Sequence, residues 1–219
     1  MTTHYSKFFS LKSFAHAEIF ENTTHVWEAL SRISSYLQKL ILQSSSEIPT
    51  GVYLENPSQI YLGKGVSIEP GAFIRGPCFI GDGTSIRHGA YIRGDVITGT
   101  HCVIGHGTEI KNSILLDHVC VSHFNYVGDS ILGKNVNLGA GVKCANFRLD
   151  HNEVHIRIGE DKLNTGLQKL GAIIGDDGQI GCNCVTNPGT LLPPNVKFPP
   201  CQAIGSNSKA GLSTFIVTS

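Results

Sequence analysis

The sequence predicts an all-β solenoid, a parallel β-helix built from six-residue repeats and carried behind a short α-helical N-terminal segment. Three observations carry this. Aliphatic residues recur every six positions, at Leu62, Ile68, Ile74, Ile80, Ile86, Ile92, Ile104, Ile110 and Leu116, with Thr98 the one break in the series. Four residues after each comes a small or β-branched one, from Val66, Ala72 and Cys78 through Thr108, Ile114 and Cys120. Glycine occurs 25 times, largely between these positions, where tight corners need it. Neither a helical period of 3.6 nor a strand period of 2 sustains such a series.

The elements follow in order. Residues 1–47 carry no hexads and read as a helical N-terminal cap. Thr23-Thr24 resembles a helix start, and Trp27, Leu30, Ile33, Leu37 and Leu40 keep helical spacing to about Gln43. The expected role is to cover the first coil and hide an open strand edge. Residues 48–206 then form the prism, three hexads to a coil, with about six coils expected. Two further hexad runs, Leu132–Cys144 and Ile174–Phe198, continue it. Leu116 to Leu132 spans 16 residues, two short of three hexads, so a register break is expected around Ser122–Ile131. A polar excursion at about 145–172 projects as a loop, and 207–219 reads as a C-terminal tail. Breaks in a regular solenoid are where sites tend to be placed.

Seventeen basic and seventeen acidic residues balance, which argues against nucleic acid as the main partner. No apolar run approaches a membrane span or a signal sequence, so a cytoplasmic protein is expected. Of the seven cysteines, Cys78, Cys102, Cys120 and Cys184 fall in the small inward column and Cys144 in the large one. They read as core residues rather than ligands, and no metal is expected.

At the register break stands Ser122-His123-Phe124-Asn125-Tyr126-Val127-Gly128-Asp129. Asn135-Val136-Asn137-Leu138-Gly139-Ala140-Gly141 and Ala145-Asn146-Phe147 follow. The pattern H-x-x-Y-x-G-D, then N-V-N-x-G-A-G, resembles the acetyltransferase half of the bifunctional N-acetylglucosamine-1-phosphate uridylyltransferase/glucosamine-1-phosphate N-acetyltransferase family. It is most similar to the archaeal-type branch, over roughly residues 60–205. The resemblance implies a left-handed coil, where the usual crossover rule would favour the right hand. It also implies an acetyl-CoA-dependent N-acetyltransferase acting on an amino-sugar 1-phosphate, glucosamine-1-phosphate first, for sugar-nucleotide and cell-envelope precursors. An imidazole, whose ordinary pKa is about 6.5, suits removal of an ammonium proton. By the resemblance His123 is that base. Arg93 and Lys111 hold the sugar phosphate, Tyr126 and Asn137 the sugar, and Asn146 lies near the amine. Ala140 meets the thioester end of coenzyme A, and the site forms between subunits of a homotrimer.

The pattern also departs from the family. Phe147 stands where the bacterial branch has Tyr, a Lys of that branch has no match (Asn152 is nearest), and the nucleotidyltransferase half is missing. Two other readings stay open. One is a non-catalytic scaffold or partner of a separate nucleotidyltransferase. The other is a γ-class carbonic anhydrase, suggested by Arg93-Gly94-Asp95 and by the five-residue spacings His101/His106 and His118/His123.

Overall fold

The computed structural model describes residues 3–40, 48–158 and 161–205. Its core is a parallel β-helix whose three walls run the length of the prism. Among the described residues the first wall has eight strands, from Tyr53–Glu55 to Ala203–Ile204, and the other two have seven each. That makes between seven and eight coils, more than the six expected, because Tyr53–Glu55, Cys120–His123, Tyr126–Gly128 and Ala203–Ile204 add strands outside the three hexad runs. Inward residues of successive coils stack in register, as Leu54, Ile74, Ile92, Ile110, Val127 and Cys144 do on the first wall. They form one continuous core.

The register break has a different form from the one expected. The inward series does not pass through Leu116. It runs Ile110, Leu115, Val121, Val127, Leu132, with Leu115 opposite Thr98 and Leu132. Two five-residue steps, 110 to 115 and 127 to 132, replace a single two-residue gap. Both lie at the corner from the first wall to the second, and both carry a buried serine. Ser113 donates to the Lys111 carbonyl at 2.7 Å and Ser130 to that of Gly128 at 2.7 Å. Each hydroxyl thus donates to a carbonyl of its own corner, and the Lys111 carbonyl also accepts from the Asp129 N–H of the next coil at 3.1 Å. In consequence Ile114 and Leu116 face outward against the N-terminal segment. Cys120 leaves the inward column, which Val119 occupies, and is half-buried. Cys78, Cys102, Cys144 and Cys184 are buried as expected.

The N-terminal segment lies along the prism rather than across its end. The outward ladder of the second wall is wholly apolar: Tyr61, Phe79, Ile97, Ile114, Ile131, Ile173 and Leu191. Covering such a face removes far more apolar surface from water than capping one coil does. The α-helix Glu28–Lys39 and the aromatic residues Phe8, Phe9, Phe14, Phe20 and Trp27 supply that cover. The helix starts four residues later than Thr24 suggested, because the Glu28 carboxylate accepts from the N–H groups of Thr24 and His25. Aspartates at the next corner anchor the segment: Ser10 N–H donates to Asp176 at 2.7 Å, and the Ser13 hydroxyl to Asp117 at 2.9 Å. Ile41–Gln43 and the 207–219 tail lie outside the described residues.

The excursion after Cys144 contains an antiparallel hairpin, His155–Ile158 with Asp161–Asn164. It folds back rather than standing free, for Val154, Ile156 and Leu170 are buried with the N-terminal cluster. Regular coiling resumes at Ala172–Ile174. Among the described residues no helix is long and apolar enough to cross a membrane.

Candidate active site

The first wall and its corners place most of the candidate residues. Arg93 follows strand Tyr91–Ile92, Lys111 ends Glu109–Lys111, and Tyr126 opens Tyr126–Gly128, all on adjacent coils of the first wall. Asn146 sits at the root of the excursion, one coil further on, and is buried. Its side-chain N–H donates to the Tyr126 hydroxyl at 3.1 Å and also to Asp129.

Asp129 is the hub, and the sequence reading assigned it no role although it ends the H-x-x-Y-x-G-D string. It accepts from Asn146, from Asn112 at 2.9 Å, and pairs with the Lys111 ammonium at 2.8 Å. Its side chain is only 6% exposed, so these donors replace its water. Glu109 is the second residue the reading missed. It pairs with Arg93 at 2.7 Å, and Arg93 lies over the Tyr91 ring. Burial raises the Tyr126 phenol above its ordinary value, against the lowering effects of its Asn146 hydrogen bond and the Arg93 charge. It is therefore a neutral hydrogen-bonding group at physiological pH.

His123 lies at the opposite edge of the first wall, on the corner arriving from the third. That corner carries a column of histidines. His88 and His106 stack 5.5 Å apart, and each Nδ1 lies against a carbonyl of the coil before, 2.6 Å from Pro70 and 2.7 Å from His88. His123 continues the column without that clasp, and among the described residues its exposed ring has no hydrogen-bond partner. The next residue, Phe124, adopts φ +51° where neighbouring coils have Gly107 and Gly141. A bulky residue in the left-handed region is strained by ~1 kcal/mol or more. Lys143 helps hold it, donating to the carbonyls of Phe124 at 2.9 Å and Gly141 at 2.8 Å. Below His123, the buried Asn125 accepts from the His123 backbone N–H at 3.1 Å and donates to Gly139 at 2.7 Å.

Ala140 takes the same corner position one coil later. Its carbonyl accepts from Asn183, and its own N–H has no partner among the described residues. Asn137 faces outward on the third wall, around the corner from Tyr126. There it lines a shallow cleft of about 450 Å³ with Gly139, Gln179, Cys182 and Pro199. One chain thus brings Arg93, Lys111, Tyr126 and Asn146 together and holds His123 and Ala140 on one edge. Asn137 stays on a different face. The paired histidines of the carbonic anhydrase reading straddle the third wall, His101 and His118 on one corner, His106 and His123 on the other. Among the described residues no three His, Cys, Asp or Glu side chains converge as metal ligands would.

A family model described as "GMPPB C-terminal domain" matches residues 74–197, more than half of the 219-residue chain. The chain belongs to this family. The matched region holds every candidate site residue. A "Bifunctional protein GlmU" of Methanococcus maripaludis strain C7 is 39% identical over 192 residues, covering 88% of this chain and 43% of that protein. A "Bifunctional sugar-1-phosphate nucleotidylyltransferase/acetyltransferase" of Sulfurisphaera tokodaii is 39% identical over 72 residues, 33% of this chain and 18% of that one. The chain therefore spans less than half the length of these curated relatives. Among solved structures, a UDP-N-acetylglucosamine acyltransferase from Campylobacter jejuni covers 74% of this chain and 72% of its own at 15% identity, with a TM-score of 0.34. The resemblance read from the 123–146 string agrees with the names of the sequence relatives.

Proposed function

We propose that the protein is an acetyl-CoA-dependent N-acetyltransferase acting on an amino-sugar 1-phosphate, with His123 as general base. The observation that carries this reading is the grouping of Arg93, Lys111, Tyr126 and Asn146 on one wall, with an unclasped histidine at its edge. The phosphate would sit against Arg93, whose fork keeps donors beyond the Nη1 held by Glu109, and against Lys111. Tyr126 and Asn146 would orient the sugar so that its amine faces His123. The amine nitrogen attacks the thioester carbonyl carbon as His123 takes its proton. The C–N bond forms, the C–S bond breaks, and sulfur leaves as a thiolate that is protonated to free coenzyme A. The Ala140 N–H is a donor for the transient oxyanion.

Asn137 and the cleft on the third wall fit a site completed by another copy, since one chain holds them on a different face. The second wall is already covered, which leaves the first and third walls for such contacts. A homotrimer is the assembly this reading expects. A strictly monomeric mass in solution at micromolar concentration would count against both the assembly and the shared site.

A second reading has one observation in its favour. Both proposed phosphate cations are already paired, with Glu109 and Asp129, as they would be in a non-catalytic partner of a nucleotidyltransferase. One assay separates the two: release of free thiol from acetyl-CoA in the presence of glucosamine-1-phosphate and galactosamine-1-phosphate. Turnover with either supports the enzyme, and turnover with no amino-sugar phosphate leaves the partner reading.

A further inference from the structure

The seven cysteines differ by position, and Cys120 is half-buried. Four are sealed in the prism, and burial pushes the thiols of Cys78 and Cys102 up to about 12 and that of Cys144 up to about 11. Such thiols stay protonated and unreactive. Cys182 and Cys201 are exposed instead, and they share one corner of the last coils. Cys182 holds the corner position that His106 and His123 hold in earlier coils. Cys201 holds the following position one coil later, with φ +62°. The backbone N–H of Cys201 donates to the Cys182 carbonyl at 2.8 Å. The same relation joins Phe124 to His106, again at 2.8 Å, and there the two side chains meet with ring centroids 4.9 Å apart. Pro200 stands opposite Cys182 in the ladder, so Cys201 lies on the diagonal. About 4.8 Å between coils and about 3.8 Å along the chain give a Cα separation of about 6 Å, inside the roughly 4.4–6.8 Å that a disulfide spans.

We propose that Cys182 and Cys201 form a reversible thiol–disulfide site that staples the last two coils. The oxidant is a small disulfide such as glutathione disulfide. The thiolate of one cysteine attacks it, forming a mixed disulfide and releasing one glutathione. The second cysteine attacks the protein-bound sulfur, forming the intramolecular bond and releasing the other glutathione. Two protein thiols are oxidised and one glutathione disulfide is reduced to two thiols, which keep the two protons. Cys182 also lines the third-wall cleft with Asn137 and Gly139, so the bond forms in the wall of that cleft. The site does not rest on the acetyl-transfer reading.

The test uses the full chain, reduced, desalted and incubated with glutathione disulfide at pH 8, then digested with trypsin without reduction. The expected product joins the peptide Leu170–Lys197 to Phe198–Lys209 with loss of two hydrogens, and a reducing agent separates them. Cys201→Ser is expected to leave Cys182 as a stable glutathione adduct. Separate glutathione adducts on both cysteines of the unsubstituted chain, or a bond from Cys182 to Cys184 within one peptide, would overturn the proposal.

Discussion

At the scale of single residues, His123 and Arg93 differ in what each holds before substrate arrives. His123 has an open ring on an exposed corner, while Arg93 is committed to Glu109 at 2.7 Å. His123→Ala is therefore expected to lower kcat by ~10²–10⁴ with little change in sugar affinity. Arg93→Ala is expected to act mainly on KM for the sugar phosphate, by about 10- to 100-fold, the worth of a charged hydrogen bond. Steady-state kinetics on both variants reads this directly, and equal effects on kcat and KM in both would refute the division of roles. His16 shows a different use of an imidazole. It is buried between the N-terminal segment and the second wall, its Nδ1 2.9 Å from the Tyr36 hydroxyl and its ring edge-on to Phe79. Desolvation lowers its pKa from 6.5 to about 4, with Asp117 opposing the shift. The unfolded chain thus takes up a proton near pH 6.5 that the folded chain refuses until about 4. Stability is full above pH 6.5 and declines as pH falls, by roughly 3 kcal/mol once below the folded value. Urea titrations from pH 7 to 4 should show that decline, and His16→Leu should flatten it.

At the scale of the element, the coil tolerates its corners only where they are narrow. A Cβ at Gly105 would lie 1.6 Å from the Ser122 carbonyl oxygen of the next coil, a backbone atom that no rotamer change can move. Gly105→Ala should cost about 1–3 kcal/mol or more, and lower the melting temperature by several degrees. It also shifts the strand ending in His123, so activity should fall with it. An unchanged melting temperature would mean that this corner is looser than the packing implies. The two five-residue steps belong to the same scale. They turn Ser113 and Ser130 inward and set Lys111 and Asp129 at stacked corners, within reach of each other.

At the scale of the whole molecule, the N-terminal segment decides which faces remain open. It lies on the uniformly apolar second wall, from Phe79 to Leu191. Removing residues 1–40 would expose a strip of aromatic and aliphatic side chains of the kind that drives association. The truncated chain is expected to aggregate or to require detergent, measured by light scattering. A soluble, well-dispersed truncation would show that another part of the molecule covers this wall.

The period of six, the glycine corners and the buried aliphatic columns follow from the sequence alone, because each coil repeats the same steric demand on its neighbour. The string from His123 to Asn146 was legible for the same reason, as a fixed spacing that breaks the repeat. Other features were not. Counting in sixes carried Leu116 and Cys120 into the inward columns, since a pentad and a hexad differ by one residue and only the pairing of Leu115 with Thr98 tells them apart. The outward ladder of Ile97, Ile114 and Ile131 is a face only once the coils stack, so the sequence alone suggests an end cap for the N-terminal segment. Asp129 and Glu109 stand next to quoted residues in sequence. Their roles come from neighbours 17, 18 and 16 positions away, Asn146, Lys111 and Arg93, which meet them only after one turn of the prism. Local pattern determines the coil; contacts between coils decide which side chains share a site.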